Sequence, residues 1–165
     1  MSDALHIYLV RHAEADEGGY DAYRALTGNG RARMRRTADL FAAEMGHLDL
    51  ILSSPLVRAV QTAEILASAV GFLEPLEIAP EIASPPRMSS LVELIDGTRA
   101  DIQGVALVGH EPILGALVGE LLQHSPVSFR RGEIYALSRH RTTKTTTFLW
   151  HIKPDGPTRS NELER

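Results

Sequence analysis

Residues 105–123 read VALVGHEPILGALVGELLQ. Val105–Val108 form a short apolar run of strand length, and Gly109 closes it. Beyond His110-Glu111, ILGALVGELLQ reads as a helix, with Pro112 in its first turn, where a missing N–H costs nothing. A buried strand that feeds a helix through a tight turn is the unit of α/β folds with a parallel sheet.

Two further units of this kind lie upstream. Leu5–Val10 (LHIYLV) reads as a buried strand that ends in Arg11-His12. Residues 16–30 hold four glycines and read as a loop. The helix that follows carries Met34, Ala38, Phe41 and Met45 as one apolar stripe, with Gly46 as its stop. Leu48–Leu52 reads as a second strand, ending in Ser53-Ser54-Pro55, and residues 56–70 as a helix closed by Gly71. Residues 75–90 hold little regular structure beyond a short strand at 76–78, and 89–97 read as a short helix. Glu133–Leu137 and Thr145–His151 read as an antiparallel edge pair around a charged turn. The expected architecture is a three-layer α/β/α fold with a mainly parallel central sheet and an antiparallel edge. Residues 1–153 are expected to form one domain, and 154–165 a frayed polar tail.

At 165 residues the chain is long enough to bury a full core without a disulfide or a metal. It has no cysteine, which excludes a disulfide scaffold, a thiolate zinc site and a cysteine nucleophile. A net charge of −4 gives no general pull toward nucleic acid or anionic membrane. No stretch is apolar over the length of a membrane span, and no basic segment precedes a long apolar one. The expectation is a cytoplasmic domain without a signal peptide.

In parallel α/β sheets, ligands sit beyond the carboxyl ends of the strands. Three strand ends here carry Arg11-His12, Ser53-Ser54-Pro55 leading to Arg58, and Gly109-His110. Two arginines and two histidines are therefore expected at one edge. Guanidinium groups match phosphoryl oxygens with paired donors, and the helices starting near 56 and 112 add free N–H groups. A histidine can attack phosphorus if it is neutral, and nearby arginines favour that state. A backbone carbonyl at the other ring nitrogen would fix the tautomer.

These residues carry a resemblance. Arg11-His12 after an N-terminal strand resembles the RHG signature of the histidine phosphatase superfamily. Leu26-Thr27-x-x-Gly30 resembles its LTxxG element. Ser53-Ser54-Pro55-Leu56-x-Arg58-Ala59-x-Gln61-Thr62-Ala63 resembles SSPxxRAxQTA, and Gly109-His110 its late GH element. The short length and His110-Glu111-Pro112 are similar to the small SixA-type phosphohistidine phosphatases. The resemblance implies a phosphoglycerate mutase-like fold and a phosphatase with His12 as nucleophile. It implies Arg11 and Arg58 as phosphate clamp, His110 as second histidine, and no metal or organic cofactor. Ala13 stands where many members have glycine, which raises the question of a strained turn. Glu81 is the candidate acid by position, beside the reading of it as an ordinary loop carboxylate; Glu14 and Glu111 lie nearer the histidines in sequence.

The implied substrate is phosphohistidine in a protein, with inorganic phosphate as product. The alternatives are a small-molecule phosphomonoesterase, for a sugar or nucleoside phosphate, and a non-catalytic phosphate-binding module. Ser53, Ser54 and Thr27 read as helix caps, and Gln61 and Thr62 as residues that fix their helix. His47, His124, His140 and His151 read as surface or packing residues. The basic run Arg31, Arg33, Arg35, Arg36 reads as a solvated helix face. Arg130, Arg131, Arg139, Arg141 and Lys144 read as a scattered group of the same kind, without the interleaved aromatics of nucleic-acid binders.

Overall fold

A computed structural model describes residues 2–164. One mixed seven-stranded sheet carries helices on both faces. The first unit is strand β1 (Ala4–Arg11) and helix α1 (Gly28–Glu44), joined by a loop with a 3-10 turn at Asp21–Tyr23. Strand β2 (Leu50–Ser53) leads to α2 (Val57–Val70), and β3 (Glu77–Ile78) to a 3-10 turn at Pro80–Ile82 and to α3 (Met88–Asp96). The quoted stretch supplies β4 (Gly104–Gly109) and α4 (Ile113–Leu122). Three strands close the chain: β5 (Ile134–His140), β6 (Thr146–Lys153) and β7 (Thr158–Ser160).

The sheet order is β3-β2-β4-β1-β5-β6-β7. The first four strands are parallel, and β5, β6 and β7 are added antiparallel. Every residue of β4 is buried, as a central parallel strand requires. Alternate side chains of β1 divide between two cores. Leu5, Ile7 and Leu9 face the core shared with α3 and α4; Tyr8 and Val10 face the one shared with α1 and α2.

Three expectations need correction. Helix α1 begins at Gly28, inside the expected loop, because Thr27 accepts the Gly30 N–H as its N-cap. The segment expected as a frayed tail contains β7, which pairs with β6, and Leu163 packs on the core. Arg139 is no part of a solvated basic group: it is buried and bonded to both carboxylate oxygens of Asp96, at 2.7 and 3.0 Å. Among the described residues, no helix is long and apolar enough to cross a membrane.

Candidate active site

The register of β1 on β4 sets Arg11 opposite Gly109, so His12 and His110 leave adjacent strand ends. Their ring centroids lie 5.2 Å apart. The strands come this close to the 3-10 turn at 80–82 because residue 109 is glycine: a Cβ there would stand 2.5 Å from Ile82 Cγ2. From the next strand, β2 ends at Ser53, and the turn after it starts α2 with Arg58 in its first turn. The structure thus brings Arg11, His12, Arg58 and His110 to one sheet edge. His12, Arg58 and His110 are buried, and Arg11 is half-buried.

His12 is held by its backbone. Its Nδ1–H donates to its neighbour's carbonyl, Ala13 O, at 2.7 Å. The lone pair of the neutral ring is then on Nε2. Burial pushes the pKa of His12 down to about 3, with His110, Arg58 and Arg11 adding to the shift. Burial followed by the Arg58 charge pushes His110 down to about 4. Both rings are neutral at pH 7.

Ala13 is buried and does not adopt a positive φ. The glycine-to-alanine change therefore strains nothing in this turn. Its N–H donates to Thr62 Oγ1 at 3.1 Å, and that hydroxyl donates to Arg58 O at 2.7 Å. Thr62 thus ties the His12 loop to the helix carrying Arg58. Gln61 Oε1 accepts the Leu26 N–H at 2.8 Å, and Thr27 Oγ1 donates to Glu14 Oε1 at 2.7 Å. These polar residues lock loops to one another, beyond the helix-fixing work read from sequence. Gly30 permits the approach, since a Cβ there would stand 2.2 Å from Glu14 O.

Ser54 has a larger part than capping. Its Oγ lies 2.5 Å from His110 Nε2 and accepts the Leu56 N–H at 3.3 Å. With the Ser54 hydroxyl donating to Nε2, the His110 ring proton is on Nδ1, the nitrogen that has no partner among the described residues. The SSP spacing gave a capping signal; only the fold shows Ser54 facing a histidine 56 residues away.

The guanidinium groups are anchored on one side only. Arg11 Nη1 donates to Phe129 O at 2.7 Å. Arg58 Nη1 donates to Asp21 O at 2.7 Å, and its Nη2 lies 3.3 Å from Asp21 Oδ2. Asp21 was not singled out from sequence, because it sits in a glycine-rich loop with no motif around it. Arg11 Nε, Arg58 Nε and His110 Nδ1 are buried without a hydrogen-bond partner among the described residues. Buried donors of this kind are costly unless something accepts them. An oxyanion among them would do so.

Glu81 lies in the 3-10 turn beside Ile82, is half-buried, and makes no hydrogen bond or ion pair among the described residues. Glu111 is spoken for: it accepts the Gly115 N–H at 2.7 Å at the start of α4. Glu14 is held by Thr27.

The model of the Histidine phosphatase superfamily (branch 1) matches residues 7–83, which include Arg11, His12 and Arg58. Phosphohistidine phosphatase SixA of Escherichia coli (strain K12) is 25% identical over 153 residues, covering 91% of this chain and 94% of that protein. An uncharacterized protein of Picosynechococcus sp. (strain ATCC 27264 / PCC 7002 / PR-6) is 34% identical over 115 residues, covering 67% of this chain and 69% of its own. The solved structure of the protein histidine phosphatase SixA complexed with tungstate superposes with a TM-score of 0.84 at 25% identity. That match covers 91% of this chain and 97% of the other. The mixed sheet is that of the phosphoglycerate mutase-like fold.

Proposed function

The chain belongs to the histidine phosphatase superfamily, and on that premise we propose that it hydrolyses phosphohistidine in a protein, through a covalent phosphoryl intermediate on His12. The observation that carries this reading is that Arg11, Arg58 and His110, each with a buried nitrogen that has no partner among the described residues, lie at the same sheet edge as a neutral, oriented imidazole. Arg11 and Arg58 hold the phosphoryl oxygens, and His110 donates from Nδ1. Fixed donors in a buried site stabilise charge on the transferring group without reorganisation.

In the first step the His12 Nε2 lone pair forms a bond to phosphorus, and the substrate's P–N bond breaks. A substrate imidazole protonated on its other nitrogen departs as neutral imidazole, so this step needs no separate acid. His12 becomes cationic phosphohistidine with its Nδ1–H still on Ala13 O. Water then forms the new P–O bond, the Nε2–P bond breaks, and neutral His12 is restored with inorganic phosphate as product. The 25% identity to phosphohistidine phosphatase SixA over nearly the whole chain supports this substrate class. So does the use of residues 77–96 for β3 and for α3, whose Leu91 and Ile95 sit in the core. That leaves little chain there for a lid over a small metabolite.

A second reading, a small-molecule phosphomonoesterase, draws on Glu81. An ester leaves as an alkoxide that needs a proton, and Glu81 is an unengaged carboxyl in the 3-10 turn whose Ile82 lies against Gly109.

Phosphate release from a phosphohistidine-carrying protein and from an aryl phosphate, measured side by side, tests the proposal. Fast release from the protein and slow release from the ester are expected, both lost in His12→Ala. Faster release from the ester would favour the second reading. Firm phosphate binding with no turnover of either would leave a phosphate-binding module.

A further inference from the structure

Behind Arg11 lies a buried acid–histidine pair that the chemistry above does not use. Glu133 and His151 are almost wholly inaccessible, at 1% and 0% exposure. They come from β5's leading edge and from β6, with His151 paired across the sheet with Tyr135. His151 Nδ1–H donates to Glu133 Oε1 at 2.8 Å. The other carboxylate oxygen accepts the Arg130 N–H at 2.7 Å, while the Glu133 N–H donates back to Arg130 O at 3.0 Å. The two bonds close residues 130–133 into a tight turn. Gly132 lies inside it at φ +82°, a left-handed conformation that glycine adopts without strain.

This turn grips the β1 terminus. Glu133 O accepts the Arg11 N–H at 3.1 Å, and the Gly132 N–H is shared between Arg11 O and His12 O, at 3.1 Å each. Phe129 O, one residue before the turn, accepts Arg11 Nη1 at 2.7 Å. The backbone of Arg11 and His12 and the guanidinium of Arg11 are thus held by one five-residue segment. Within that segment the Glu133 carboxylate is the side-chain clasp.

We propose that Glu133, steadied by His151, is a positioning residue for the phosphate clamp, acting on Arg11 and His12 through the 129–133 turn. The proposal rests on the phosphatase reading only for the assignment of Arg11 to phosphate. A carboxylate is suited to the task because one group accepts from the turn and from the neighbouring strand at once.

Inorganic phosphate binding to the full chain, followed by calorimetry, tests it together with aryl phosphate kinetics. Glu133→Ala is expected to raise the phosphate Kd at least tenfold and to lower kcat as well. Glu133→Gln keeps an oxygen for the Arg130 N–H, and its amide NH2 can donate to His151 Nδ1 with that ring's proton moved to Nε2, so this variant is expected to stay within about threefold of the parent chain. A merely structural role would lower the melting temperature and leave Kd unchanged well below it. If Glu133→Ala fails to fold, Glu133→Asp, one methylene too short to reach Arg130, takes its place with the same expectation. A folded alanine or aspartate variant with parental Kd and kcat would overturn the proposal. A glutamine variant as damaged as alanine would overturn the hydrogen-bond account of it. Because Kd is read without turnover, a parent chain that binds phosphate but hydrolyses nothing would sink the phosphatase reading alone.

Discussion

His12 has its two ring nitrogens in different surroundings: Nδ1 on a backbone carbonyl, Nε2 left to the open edge of the site. The difference defines a direction of attack. The low pKa of about 3 then matters, because a histidine with the ordinary value near 6.5 would be half protonated just below neutrality. On this account no loss of kcat/KM between pH 7 and pH 5 arises from His12 in the free protein; a fall traced to its titration in that range by NMR would contradict it. Arg58→Ala should lower turnover by an order of magnitude or more, since it removes a fixed charge at the transferring group; parental turnover would remove Arg58 from the clamp. Thr62→Val keeps shape but leaves the buried Ala13 N–H unpaired. It should cost about 1–3 kcal/mol in chemical denaturation and slow turnover through the His12 loop. At this scale the meeting of Arg11, His12, Arg58 and His110 at one sheet edge was legible in sequence, because strand ends and motifs both mark them. Ser54 and Asp21 were not, because each acts on a partner brought near only by folding.

The elements that build the site are strand–turn–helix units, and their apolar periods were readable because buried parallel strands and amphipathic helices leave strong patterns. Boundaries moved where a side chain bonds the backbone. Thr27 starts α1 within a glycine-rich stretch that pattern alone assigns to loop. Thr27→Ala removes that cap and the contact to Glu14, and should cost about 1 kcal/mol. Unchanged stability in urea would mean the loop is held by other means. Strand β7 was missed because three polar, mostly exposed residues carry no alternation to read. The Glu133–His151 pair was missed for a related reason. A histidine in a strand shows its partner only once β5 and β6 are in register.

Across the whole molecule, the parallel half of the sheet supplies all four proposed site residues, and the antiparallel half braces two of them, Arg11 and His12, through the 129–133 turn. Gathering two arginines and two neutral histidines in one buried place has a consequence for stability. Both histidines have pKa values lower in the folded state, about 3 and about 4, than the 6.5 of a free side chain. Above pH 6.5 neither state takes up a proton there. As pH falls below 6.5 the unfolded chain binds protons that the folded one does not, so stability drops by up to about 1.4 kcal/mol per pH unit for each ring. The melting temperature should therefore fall steadily from pH 6.5 toward pH 4, and a His12→Ala, His110→Ala double variant should fall less. Parallel curves for the two proteins would contradict the burial of neutral rings.

The central claim is that the phosphoryl group passes through His12. Rapid alkaline quenching during turnover, followed by peptide mass spectrometry, reads this directly, because phosphohistidine survives base. The account predicts one phosphoryl group on the peptide containing His12, formed and lost at rates that support turnover, and absent in His12→Ala. A phosphoryl group on any other residue, or steady turnover in the His12→Ala variant, would contradict it.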